Sequence, residues 1–135
     1  MAEVYNSNSN LKAAGVQVDF TPDDIKEYIK CSQDPIYFIE NYCHIVTLDH
    51  GLQLFKLYDC QKNKVNVIHN NRRVILMEGR QQGKTTTSAA YILWYVLFQS
   101  NKTVAILANK ATSAREVLDR LQIMYEMLQI GRAHV

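Results

Sequence analysis

The order of apolar and polar residues changes period several times along this chain, and each change marks an element. Residues 1–20 are polar, with Asn-Ser-Asn-Ser at 6–9, and read as a flexible N-terminal arm. Thr21-Pro22-Asp23-Asp24 opens a helix. It offers a hydroxyl to cap free amides, a proline in the first turn, and acids at the positive end of the dipole. Ile25, Tyr28 and Ile29 form the stripe expected to be buried. Asp34-Pro35 restarts a second helix, with Ile36, Ile39, Tyr42 and Cys43 facing inward. Residues 44–48 and 52–57 flank Asp49-His50-Gly51 and predict a β-hairpin. Residues 58–70 read as a polar, weakly periodic helix that Asn70-Asn71 stops.

From residue 73 the pattern coarsens. Residues 73–77 predict a strand whose continuous apolar run, from Val74 to Met77, suggests burial on both faces, as in a parallel sheet. Residues 85–99 predict a helix that is apolar nearly all round (Ala89, Ala90, Ile92, Leu93, Trp94, Val96, Leu97). Such a helix needs cover on more than one side. Residues 103–108 predict a second buried strand. Ser113-x-x-Glu116 reads as a capping box opening a helix striped by Ala114, Val117, Leu118, Leu121, Met124, Tyr125 and Leu128. Strand, helix, strand, helix in that order predicts a right-handed parallel crossover.

Composition narrows the class. A chain of 135 residues is one domain or part of a larger one, and 47% apolar content with 5 Gly and 2 Pro reads as globular. A net charge of +2 is too small to argue for nucleic acid by itself. Lys56, Lys62, Lys64, Arg72 and Arg73 read as a loose, solvated basic face. Cys31, Cys43 and Cys60 are widely spaced, which fits reduced cytosolic thiols and neither a disulfide framework nor a zinc site. The four histidines lack metal-ligand spacing. The N-terminus lacks the basic-then-apolar order of a signal peptide. The longest apolar stretch, 89–98, is about half of what crosses a bilayer. These features predict a soluble cytoplasmic protein without a membrane role.

The chemistry concentrates between the first predicted strand and the long helix. Gly83-Lys84-Thr85 stands at that junction. This triplet is the grip proteins use on nucleoside triphosphates with magnesium. A helix N-terminus presents unpaired amides and positive dipole to a polyanion. Gly83 lets the backbone approach closely, Lys84 is a mobile point charge for the β- and γ-phosphates, and Thr85 supplies a hydroxyl to magnesium. The usual spacing puts a first glycine where Glu78 stands, and Gly79 follows it. The expected architecture is therefore α/β: an incomplete P-loop NTPase with a three-layer parallel sheet, preceded by a small helical and hairpin region.

Lys56-Leu-Tyr-Asp-Cys-Gln61, Arg80-Gln-Gln-Gly-Lys-Thr-Thr86 and Leu107-Ala-Asn-Lys110 together closely resemble the large terminase subunit of myovirus-type tailed phages. That family is an ATP-driven motor and nuclease that packages DNA, and the resemblance runs over residues 20–128. Its phosphate loop has the deviant form Arg-Gln-x-Gly-Lys-Thr-Thr, which accounts for the absent glycine. The resemblance implies that Gln61 reads adenine, favouring ATP over GTP, because an amide offers both a donor and an acceptor to that edge. Cys60 stands where the family often has an aromatic residue. The resemblance also implies that Gly79, Arg80, Gln81, Gln82, Gly83, Lys84, Thr85 and Thr86 hold ATP, with Thr85 on Mg2+. Lys84 and Arg80 would be the catalytic charges, Arg80 acting as an in-chain arginine finger. Asn109 and Lys110 match a segment that couples nucleotide state to DNA grip.

In the family, the acid holding magnesium, the glutamate orienting water and the endonuclease domain all lie on later segments. The implied partners are double-stranded phage DNA, the portal protein and the small terminase subunit, in an oligomeric ring on the capsid within the host cytoplasm. The organisation expected is an arm at 1–20, a helical and hairpin region at 21–57 and the start of a P-loop ATPase domain at 58–129. Residues 130–135 break the helical pattern and read as a translated sequencing-adapter tail. Two alternatives stand beside this reading: a glutamine-motif DNA helicase or remodeller, and an inactive truncated nucleotide-binding fragment. On any of these readings the chain alone is expected to lack turnover, with ATPase activity belonging to the full-length protein.

Overall fold

The computed structural model describes residues 4–5, 8–12, 19–80 and 83–128, with side chains for 19–80 and 83–128. The tail at 130–135 lies outside the described residues, as does most of the arm. Within the arm, Val4–Tyr5 (β1) and Asn8–Lys12 (β2) pair antiparallel.

Two capped helices follow. In α1 (Pro22–Gln33), Thr21 Oγ1 accepts from the Asp24 amide at 3.2 Å, and Asp24 Oδ2 accepts from the Thr21 amide at 3.0 Å. In α2 (Pro35–Tyr42), Asp34 Oδ1 accepts from the amides of Ile36 and Tyr37. Each cap of this type stabilises by about 1 kcal/mol. The buried stripe of α1 is not the expected one, since Ile25 and Ile29 are 50% and 48% exposed while Cys31 is fully buried. Of the expected stripe, Tyr28 is the half-buried member and packs on Phe98 with ring centroids 5.1 Å apart. On α2 the fully buried residues are Phe38 and Ile39, with Cys43 beyond the helix end.

The expected hairpin forms, as His44–Thr47 (β3) against Gly51–Leu54 (β4), with Val46 opposite Leu52. Gly51 turns the chain at φ +66°, a conformation open to glycine at no steric cost. Beyond β4, the Phe55 amide bonds the Cys43 carbonyl at 2.9 Å, which carries Phe55 and Leu57 into the core.

Three longer helices complete the fold: α3 (Asp59–Asn70), α4 (Lys84–Phe98) and α5 (Ala111–Glu126). The apolar helix α4 is the hub, with Ala89, Ala90, Leu93 and Trp94 all buried and α2, α3 and α5 packed around it. Trp94 buries its ring and donates Nε1–H to the Cys31 carbonyl at 2.8 Å, so its one polar atom is satisfied. Phe98 meets Phe38 edge-on at 5.2 Å. The helix has cover on several sides, as its composition requires, and helices supply it.

The expected α/β fold, a three-layer parallel sheet of P-loop type, does not form. The structure is a small helical domain whose described strands make only two-stranded antiparallel ribbons. Residues 74–79 and 102–108 are irregular, without ladder hydrogen bonds to each other. Ile75 and Met77 are essentially fully exposed and Leu107 is 88% exposed. Strand formation needs a partner backbone at hydrogen-bonding distance, which a run of apolar residues does not create. A shallow groove of about 420 Å³ lies on α4 between the two segments, lined by Leu76, Ile92, Ile106 and Leu107. The capping box at Ser113 also fails to form, because α5 starts earlier, at Ala111, with Lys110 at its cap and no side-chain capping bond.

Candidate functional site

The start of α4 is shaped by its glycine. Gly83 caps the helix at φ +65°, in the left-handed region, where a side chain costs roughly 1–2 kcal/mol. A second constraint coincides with the first. A Cβ at this position would lie 2.7 Å from Nε2 of Gln61. The helix therefore begins where the loop backbone and the Gln61 amide come together. The Gly83 carbonyl accepts from the Thr87 amide at 2.9 Å and from Thr87 Oγ1 at 2.8 Å, closing the first turn.

Gln61 is 5% exposed and sits in the first turn of α3. Its Oε1 accepts from the Tyr58 amide at 2.9 Å, while its Nε2 faces Gly83. Gln61 and Gly83, distant in sequence, are thus brought into contact. Lys84, the first residue of α4, is exposed. Thr85 is half-buried and lines the shallow groove together with Lys64, Glu78 and Lys84. Thr86 points elsewhere, accepting at Oγ1 from Arg120 Nη1 of α5 at 2.9 Å. Gly79 and Arg80 lie exposed in the loop entry. Gln81 and Gln82 lie outside the described residues. Asn109 and Lys110 form the bend that leads into α5.

The loose basic face holds in part only. Arg72 and Arg73 are exposed, and Lys62 pairs with Glu40 at 3.3 Å. Lys64 departs from it: its side chain is 4% exposed, paired with Glu78 at 3.0 Å and bonded to the Lys84 carbonyl at 2.8 Å. The other functional surroundings that sequence reasoning missed are Glu78 as an ion-pair partner and Arg120 as the partner of Thr86. Their only sequence signal was residue type, since each contact joins segments 14 to 34 residues apart. Away from the loop, burial pushes the Cys31 thiol up to about 12 and raises that of Cys43 further, while Cys60 is exposed. Among the described residues, no cluster of His, Cys, Asp and Glu could hold a metal ion. Nor is any described helix long and apolar enough to cross a membrane.

In chemical terms, these elements define a loop-capped helix with an exposed lysine and a hydroxyl at its positive end, an arrangement suited to an anion. Residues 75–133, which contain that loop and helix, match the family model described as terminase large subunit, T4likevirus-type, N-terminal. For this stretch of the chain, the match supports the family expected from the sequence, a large terminase N-terminal fragment. The family's role is in packaging phage DNA.

Proposed function

We propose that the loop entering α4 binds the triphosphate of ATP with magnesium, as the nucleotide-holding part of a phage DNA-packaging motor. The observation that carries this reading is the left-handed Gly83 at the head of α4, followed directly by the exposed Lys84 and by Thr85 at the groove. A left-handed glycine lets backbone amides converge on one point, and the first-turn amides of a helix lack intrahelical partners. Lys84 would place its ammonium on the β- and γ-phosphates, and the Thr85 hydroxyl would take one magnesium position. These donors suit the group: hard oxygen for magnesium, amides and ammonium for phosphate oxygens. Magnesium would supply charge neutralisation at the phosphates. Arg80, exposed in the loop entry, would offset charge developing at the γ-phosphate. Gln61, already against Gly83, would turn its amide to the adenine edge and favour ATP over GTP.

In the intact protein, hydrolysis would be coupled to translocation of double-stranded DNA, with portal protein, small terminase subunit and an endonuclease activity as further components. The 135-residue chain is expected to bind nucleotide without turnover. The test is a titration of labelled ATP with magnesium into the chain and into the intact gene product. Saturable uptake that is lost in Lys84→Ala and weaker with GTP is expected. No saturable uptake by the intact product, or uptake indifferent to Lys84→Ala, overturns the proposal.

A further inference from the structure

We propose that Lys64 is a positioning residue of the phosphate loop: it neutralises Glu78 and ties α3 to the first residue of α4, leaving Lys84 as the net charge that meets the ligand. The inference rests on the nucleotide reading above and deepens it. A buried lysine is tolerated only when its charge is paired and its donors are used. Among the described residues, Lys64 meets that condition through two loop groups, Glu78 Oε2 at 3.0 Å and the Lys84 carbonyl at 2.8 Å. These two groups stand on opposite sides of the loop, residue 78 where the chain enters and residue 84 where it leaves. One ammonium therefore bridges entry and exit.

Lys64 also lies three residues after Gln61 on α3, so both side chains share a helix face. That face carries Gln61 to Gly83 and Lys64 to Lys84. The electrostatic consequence is direct. Glu78 lines the same groove as Lys84 and Thr85. An uncompensated carboxylate there would repel a polyphosphate and compete for Lys84. Paired with Lys64 it contributes no net charge, and it serves as an anchor at the position where a glycine is usual.

The experiment compares Lys64→Met, Glu78→Gln and the double variant Lys64→Met/Glu78→Leu in the full chain. It has two readouts: affinity for labelled ATP with magnesium, and amide hydrogen exchange without nucleotide. Lys64→Met should weaken binding about tenfold or more, because it exposes the ligand to the Glu78 charge. Glu78→Gln should bind as well as the wild type or tighter, and the double variant should recover most of the loss. Exchange at the Thr87 and Ser88 amides should rise most in the two variants lacking Lys64 and less in Glu78→Gln, where the glutamine oxygen can still accept from the Lys64 ammonium but no longer balances its charge. Equal damage from the two single variants, with no recovery in the double, would mark a packing role and overturn the assignment. If Lys64→Met does not fold, the double variant and Glu78→Gln decide: weaker binding in Glu78→Gln overturns it. If the wild type takes up no ATP, the nucleotide reading fails by itself. Hydrogen exchange then judges Lys64, and unchanged exchange in its variants refutes the tie.

Discussion

Replacing Gly83 with alanine tests the architecture of the loop most directly. Three effects compete, and each can be sized. Holding alanine at φ +65° costs roughly 1–2 kcal/mol. The new Cβ would meet Gln61 Nε2 at 2.7 Å, so the amide must move and its 2.9 Å bond with the Tyr58 amide is strained or lost, costing about 1 kcal/mol. Opposing both, alanine lowers the entropy of the unfolded chain and returns roughly 0.4–1 kcal/mol. The net expectation is destabilisation by about 2 kcal/mol. A double-mutant cycle separates the causes. In a Gln61→Ala background the contact is gone, and Gly83→Ala should cost only about 1 kcal/mol, leaving a coupling of about 1 kcal/mol. Urea unfolding of the four proteins, compared at constant m, measures this. An equal penalty in both backgrounds would refute the Gln61 contact. A Gly83→Ala protein within about 0.5 kcal/mol of wild type would refute the backbone argument altogether.

Other expectations follow from the core and its rim. Trp94→Phe keeps the ring packing and orphans the Cys31 carbonyl, costing about 1–3 kcal/mol, whereas Trp94→Ala should cost about 3–5 kcal/mol in the same urea assay. The hydroxyls of Tyr37 and Tyr42 both donate to Glu27 and hold its carboxyl below its usual 4.5. A depressed folded-state value means this contribution is present at neutral pH and fades as pH falls through that lowered value. The Tm advantage of wild type over Glu27→Gln should therefore shrink on acidification, and an advantage constant with pH would contradict the assignment. A thiol reagent at mildly alkaline pH should label Cys60 in the native protein and reach Cys31 and Cys43 only after unfolding, because burial both shields those two and raises their thiols.

What could be read from the sequence is what is local. Thr21-Pro22 and Asp34-Pro35 announce their helices because a cap is satisfied within three residues. The hairpin about Gly51 and the stop at Asn70 are local in the same sense. The apolar all-round character of α4 foretold burial on several sides, and that holds. The partners covering it did not follow, since hydropathy says how much cover is needed and not what shape supplies it. The strands expected at 73–77 and 103–108 show the limit. A ladder depends on a second backbone, and Ile75, Met77 and Leu107 remain in solvent without one. In the candidate site, the place of Gly83-Lys84-Thr85 at the head of α4 was legible because the three residues are contiguous and the glycine marks the helix start. Lys64 and Arg120 were not, because their roles come from groups 14 to 34 residues away in the chain.

The indole at position 94 gives the molecule a built-in optical gauge. It is the sole tryptophan of the chain, sealed from water and bonded to the backbone of α1. Its emission should be blue in the native protein and shift red when α1 peels from α4. One fluorescence channel would then follow the seating of the first helix on the hub, free of any signal from the loop that opens at the far end of α4.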